Sequence, residues 1–347
     1  MSTPRPRPHE IVPPAQAVPR HERSAAEDAD ISVAVPRLRR ILVQVVGFAV
    51  GIGLVVWCVR RAASGGNWET ILHASAWQIS GLLGFTILSL VMAGTAFWVA
   101  IQPVRQLRWR ELQGLNFVAS LFNYAPVRLG LVTRVVWHLR VDRIAPLMVV
   151  GWFGSMGLVM GVVLGSAATA TLVHPRLDAV WAGLLLVLLL TGGMLLRVMV
   201  QMPLARTITR RLHGMERLIL DHRALWGGVA IRVLDLTAFT GRMACAASIC
   251  GITLSLSDVL LLALSAQLIS LSPFGRVGFR EAAVAFVASR LSGGPGVDVE
   301  SVFAQLALVD SAGEVLVIVP LGVLALPWLF AGLKRAKTGG AGVAGER

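Results

Sequence analysis

The sequence predicts an all-α polytopic membrane protein: six full spans plus two re-entrant helical hairpins, arranged as an inverted repeat with both termini in the cytoplasm. Three observations carry that expectation. Apolar residues make up 55% of the chain and charged residues 15%, with a mean hydropathy of +0.71, which excludes an ordinary soluble domain. Six apolar stretches approach or exceed the length a helix needs to cross a bilayer, about 20 residues. Two more apolar stretches are broken by Pro, Gly and Arg into halves too short to cross alone.

Residues 1–36 are rich in Pro, Arg and Glu without apolar periodicity and are expected to form a disordered cytoplasmic tail. Arg37, Arg39 and Arg40 precede the first span, Ile41 to Val59. Its end, Cys58 to Arg61, lacks a small-residue cleavage site and reads as an anchor. Further spans are Trp77 to Ile101, Pro146 to Val173, Ala179 to Gln201, Leu225 to Gly251 and Val302 to Leu329. Gly157, Gly161 and Gly165, at four-residue spacing, are expected to let another helix approach closely. In 203–223, Leu204, Ile208, Leu212, Met215 and Leu218 recur at helical spacing, with Arg206, Arg210, Arg211 and Arg217 between them. That pattern predicts an amphipathic cytoplasmic linker within a membrane domain of 37–335, whose halves cover about 41–173 and 179–331. Residues 336–347 are read as a flexible tail.

Charge orients the spans. The net charge of +13 would suggest nucleic acid in a soluble protein, but here the basic residues flank apolar spans. With the amino terminus inside, segments 37–40, 102–114, 140–143, 203–223 and 334–337 all fall in the cytoplasm. The loops 252–257 and 292–301, without Lys or Arg, fall outside, and Arg60, Arg61 and Arg176 dissent. The expected location is the cell membrane and the expected partners are anionic lipids, not nucleic acid.

Both broken stretches carry the same residue types. Pro126, Arg128 and Gly130 interrupt the first; Pro273, Gly275, Arg276 and Gly278, followed by Arg280 and Glu281, interrupt the second. Arg128 and Arg276 are separated by the same number of residues as Gly130 and Gly278. Pro and Gly discourage one straight helix, and irregular backbone at membrane depth is tolerated only in protein or beside a wet cavity. Paired interrupted segments in two halves point to a transporter's central site. The spans also hold Arg232, Asp235, Arg242, Asp310 and Glu314, which must face the bundle interior. Depth along the helices pairs Arg232 with Glu314 and leaves Asp235 and Asp310 to Arg276, Arg280 or a proton.

These motifs resemble the lysylphosphatidylglycerol synthase transmembrane region, a flippase-like family of bacterial and archaeal membrane proteins. That family commonly shows Pro-Gly-Arg-x-Gly-Glu-x-x-Arg, answered here by Pro126-Val-Arg128-Leu-Gly130-Leu-Val-Thr-Arg134. Its second motif is similar to Pro-Gly-Gly-x-Gly-x-Arg-Glu-Ala-Ala, answered by Pro273-Phe-Gly275-Arg-Val-Gly278-Phe-Arg280-Glu281-Ala-Ala283, one residue longer. Leu131 replaces the family's Glu, and Arg276 stands where small residues are usual. The resemblance covers about residues 40–332. It implies movement of a phospholipid across the bilayer, without the soluble synthase domain of two-part members.

The expected activity is therefore translocation of a phospholipid or lipid-linked anionic substrate. Arg128, Arg134, Arg276 and Arg280 would hold the headgroup phosphate, and Glu281 would orient one Arg or bind an amine. No enzyme activity, cofactor or metal is expected. Cys58, Cys245 and Cys250 lie in apolar spans, and His73, His138, His174, His213 and His222 are scattered near span ends. The alternatives are a membrane-embedded lipid-modifying transferase and a non-transporting partner subunit of an envelope-lipid enzyme.

Overall fold

In the computed structural model, the described residues are 46, 49–50, 52–60, 62–63, 68–125, 129–202, 215–270, 278–291 and 299–341. Pro126, Arg128, Pro273, Gly275 and Arg276 lie outside them, as do the amino-terminal tail and 203–214 of the amphipathic segment. Among the described residues all regular structure is helical: α1 (Trp68–Leu72), α2 (Ala76–Ile101), α3 (Trp109–Phe122), α4 (Leu129–Arg140), α5 (Pro146–Val173), α6 (Ala179–Gln201), α7 (Met215–Leu220), α8 (His222–Ile249), α9 (Leu256–Ser270), α10 (Phe279–Leu291) and α11 (Val299–Ala341).

Among the described residues, four helices are long and apolar enough to cross a membrane: α2, α5, α6 and the Phe303–Ala336 part of α11. Helix α8 matches them in length at 28 residues, but Arg232, Asp235 and Arg242 make it less apolar. The short helices come in consecutive pairs, α3 and α4 of 14 and 12 residues and α9 and α10 of 15 and 13. Each pair sits between two long helices, so the order long, short, short, long occurs twice.

Local chemistry sets several helix starts. Ser75 opens α2 with a reciprocal cap: its hydroxyl accepts from the Gln78 N–H at 3.3 Å while its own N–H donates to Gln78 Oε1 at 2.8 Å. Pro146 stands in the first turn of α5, where a missing N–H costs nothing. Asp178 caps α6 by accepting from the Val180 and Trp181 N–H groups. The hydrogen bond from His174, followed by that from the Trp181 N–H, holds the exposed Asp178 carboxyl below the usual carboxylate range. Asp221 caps α8 through the Ala224 N–H at 2.8 Å.

Helix α8 packs most extensively against α2, and the two run antiparallel. Gln78 donates to the Ser248 carbonyl at one end, Gly81 lies against Cys245, Phe85 against Gly241, and Val99 against Gly227 at the other. A Cβ on Gly241 would stand 2.9 Å from the Phe85 ring, so glycine permits this close approach. The α3–α11 pair is also antiparallel, with Gly114 against Trp328 and Gly322 against Leu121.

The glycine ridge of α5 departs from expectation. Gly157, Gly161 and Gly165 are exposed, and a Cβ at any of them would meet nothing within 4 Å. Spacing alone places the three on one side of the helix but does not say which side faces protein. Close packing instead involves Gly192 and Gly193 of α6, against Val162 and Trp226.

Gly130, in the first turn of α4, is built differently from Gly161. A Cβ at Gly130 would lie 2.1 Å from the Ala119 carbonyl oxygen and 2.2 Å from Asn123 Oδ1. Gly130→Ala is expected to destabilise the protein by about 1–3 kcal/mol through overpacking, and Gly161→Ala to change stability by under about 0.5 kcal/mol. Unfolding of the two variants in detergent checks this, and equal effects would contradict the packing described.

Candidate functional site

The site begins with Ser89 and Asp235, each at the middle of its helix, α2 with 26 residues and α8 with 28. Ser89 Oγ donates to Asp235 Oδ1 at 2.6 Å, and Arg232 Nη1 meets Asp235 Oδ2 at 3.1 Å. Arg232 and Asp235 are three apart on one helix, so a single turn of α8 brings them together.

Two turns further along α8, a second set of charges is almost fully buried. Arg242 contacts Asp310 Oδ1 through Nε at 2.8 Å and Glu314 Oε2 through Nη1 at 3.3 Å. Arg280, from α10, forms ion pairs with both Asp310 and Glu314. Asp310 and Glu314 are four apart on α11 and present both carboxylates on one face. The Phe239 ring lies under both guanidinium groups, 4.1 Å from that of Arg242 and 5.1 Å from that of Arg280. Two cations and two anions thus balance where each alone would cost several kcal/mol.

Two expectations about these charges are corrected. Arg232 pairs with Asp235, not with Glu314, which faces Arg242 and Arg280. Counting residues from a span's end measures depth but not rotation about the helix axis, so equal depth did not mean contact. Asp310 does pair with Arg280, whereas Asp235 meets Arg232 and Ser89; Arg276 lies outside the described residues.

Glu281 is not part of the cavity lining, and Arg128 and Arg276, two of the Arg it was expected to orient, lie outside the described residues. Its Oε2 accepts the Gly278 N–H at 2.8 Å, and its Oε1 accepts from Ser311 Oγ. Glu281 is therefore the cap of α10, fixed to α11. Gly278 immediately before that helix has φ +83, which a residue without Cβ adopts readily.

Arg134, on α4, is placed by two contacts. Its Nη2 donates to Asn116 Oδ1, and its guanidinium lies 4.2 Å from the centre of the Phe97 ring. Asn116 is itself oriented, its Nδ2 donating to the Leu90 carbonyl at 2.8 Å. Among the described residues no carboxylate lies within ion-pair distance of Arg134.

These groups surround a cavity of about 460 Å³ between α2, α3, α4 and α8, with contributions from α5, α9 and α11. Its charged lining is Arg134, Arg232, Arg242, Asp235 and Glu314, and Ser89, Asn116, Ser120, Asn123 and Gln267 add neutral polar groups. With the charged groups ionised, the described lining holds one more positive charge than carboxylates, and among the described residues Arg134 has no carboxylate partner. Arg280 and Asp310 stand behind this wall. Such a cavity can take an anion at Arg134 and a donor group at Asp235 or Ser89.

Asn116, Ser89, Phe97 and Phe239 complete the site without having been expected. Asn116 was the most accessible from sequence, an amide inside an apolar run. The two phenylalanines gave no signal, because a ring under a cation reads like any apolar residue. His138, in the last turn of α4, is buried in the protein, with Nδ1 2.6 Å from Asp142 and its ring beside Trp152. Among the described residues, no three of His, Cys, Asp and Glu gather as metal ligands.

The fold and cavity define a helical protein with, among the described residues, four membrane-length apolar helices and a charged interior. Comparison with protein-family models, with curated proteins and with solved structures finds no match to the chain.

The ion-pair assignments can be separated by double-mutant cycles. The Arg280–Glu314 pair is expected to show a coupling of about 1–3 kcal/mol and Arg232–Glu314 under about 0.5 kcal/mol. Glu314→Gln alone is expected to cost about 3–5 kcal/mol, because it leaves buried guanidinium charge unmatched. Denaturation of the singles and doubles in detergent measures all three, and a larger Arg232–Glu314 coupling would refute the pairing.

Proposed function

We propose that this chain is a flippase-like integral membrane translocase for a phospholipid or lipid-linked anionic substrate. The observation that carries the proposal is Arg134, a cation without a carboxylate partner among the described residues, at the wall of a cavity lined by Ser89 and Asp235 from the middles of α2 and α8. A phosphate on Arg134 would supply the missing counter-charge through charge-assisted hydrogen bonds. Arg242 and Arg280 are already engaged by Asp310 and Glu314 and would act as a fixed background. Asp235 is the group nearest in kind to an amine-binding site. Arg128 and Arg276, outside the described residues, join the proposal on sequence alone.

The proposal extends to topology. The short pairs α3–α4 and α9–α10 would be re-entrant hairpins entering from opposite faces, and six full spans would place both termini inside a cell membrane. An inverted repeat of this kind suits alternating access, with one site approached from either face. The resemblance of the Pro126–Arg134 and Pro273–Ala283 motifs to the lysylphosphatidylglycerol synthase transmembrane region supports the same reading. Packing of short helices against long ones on both sides of the cavity is compatible with rocking of the halves.

Headgroup accessibility in proteoliposomes tests the function. Arg134→Gln is expected to slow translocation about 10-fold to 100-fold, the loss of a hydrogen bond to a charged group. Arg134→Lys should recover only part, since it keeps the charge but not the planar fork. Normal transport by a folded Arg134→Gln protein would reject the proposal. For topology, single cysteines at Thr253 and Lys334 are expected to label from opposite sides of the membrane, and labelling from one side would reject the orientation.

A further inference from the structure

A second basic pocket lies away from the central cavity. It has a volume of about 260 Å³ and is formed where α3, α4 and α11 meet, with Glu111, Trp137, Arg140, Arg143, Trp328 and Arg335 among its lining. Its base is aromatic: the Trp137 and Trp328 rings are 4.6 Å apart, and Trp137 sits so close to Gly332 that a Cβ there would be 2.3 Å from the ring. The described lining holds three guanidinium groups and one carboxylate, Glu111, which lies 3.8 Å from Arg108. Arg140 and Arg143 are exposed, and no carboxylate among the described residues is within ion-pair distance of either.

The place of the pocket in the fold identifies the kind of ligand. It is lined by Gly332, Arg335 and Ala336, at the end of the Phe303–Ala336 apolar stretch, where a spanning helix leaves hydrocarbon for headgroups. Trp is favoured at that level, because its ring is apolar and its N–H polar. The volume falls just below the range of about 300–1,000 Å³ for pockets that enclose a small molecule. It accommodates a phosphate with a small polar substituent, leaving acyl chains outside.

We infer that this pocket is a binding site for the phosphate headgroup of an anionic membrane phospholipid, separate from the central cavity. Arg140 and Arg143 hold the phosphate, Arg335 closes the third side, and the Trp pair supports the glycerol end. Arg140 is six residues from Arg134 on α4, about 9 Å along the axis. A lipid held here sits beside the helix that carries the cavity's unmatched cation. The site does not depend on transport: a protein that moves no lipid would still bind one at this pocket.

Binding of phosphatidylglycerol to the purified full chain in neutral detergent tests the inference, with the titrations run in an Arg134→Gln background so that the central cavity does not contribute. Combined Arg140→Gln and Arg143→Gln is expected to weaken binding at least about tenfold, through loss of two charge-assisted contacts. Arg105→Gln with Arg110→Gln, which removes two exposed charges that do not line the pocket, is expected to change it less than about twofold. Arg140→Lys with Arg143→Lys should fall between, and each protein's melting temperature reports that it remains folded. Arg140→Gln alone, outside the fold's packed core, should give a partial loss if the double variant proves unstable. Equal losses in the two Gln pairs would reduce the effect to diffuse surface charge, and an unchanged affinity in the pocket variants would remove the site. Inorganic phosphate is expected to compete only weakly; binding it as tightly as the lipid would overturn the lipid assignment in favour of a soluble anion.

Discussion

The fold depends on neutralising charge inside a low-dielectric bundle. Arg242 and Arg280 on one side and Asp310 and Glu314 on the other form a compact set with Phe239 beneath the two cations. Removing any one member would leave an uncompensated charge with little water to solvate it. The set also joins three helices, α8, α10 and α11, so electrostatic matching fixes their rotation relative to one another. Apolar packing around it, from Met243, Leu262, Ala266 and Leu306 among others, contributes contact but less directional preference.

The same constraint separates structural from available charge. Glu281 is occupied by a helix amino terminus and Ser311, whereas Asp235, held by Ser89 and Arg232, still lines the cavity. Arg134 is held by a neutral amide and an aromatic ring, which orient a guanidinium without cancelling its charge. In the proposed function, an anion at Arg134 would add a counter-charge that neither contact supplies. Glycine serves the arrangement by allowing close approach: Gly130 admits the turn of α4 against α3, and Gly241 lets α8 close on α2 beside the cavity.

Much of the architecture could be read from composition and spacing. The limits of α5 and α6 agree residue for residue with the expected spans, Pro146 to Val173 and Ala179 to Gln201. Those limits are local: Pro at a helix start, an Asp cap and the end of an apolar run all act within a few residues. The short helix pairs were legible for the same reason, since the run lengths on either side of each break are properties of the chain. The glycine ridge of α5 was misassigned because periodicity finds a face without saying what covers it.

By itself, the sequence determined the helical class, the long apolar helices, the positions of the short pairs and the set of residues whose charges had to be matched. Hydrophobicity and capping are short-range, and the cost of burying a charge holds whatever its partner. Only the tertiary structure decided the matching: Arg232 with Asp235, Arg280 with Glu314, and Arg134 with Asn116 and Phe97 in place of a carboxylate. Ion pairs require atoms a few ångströms apart, and that distance depends on how each helix is rotated and which face it turns to its neighbour. Those angles come from packing between segments far apart in the chain.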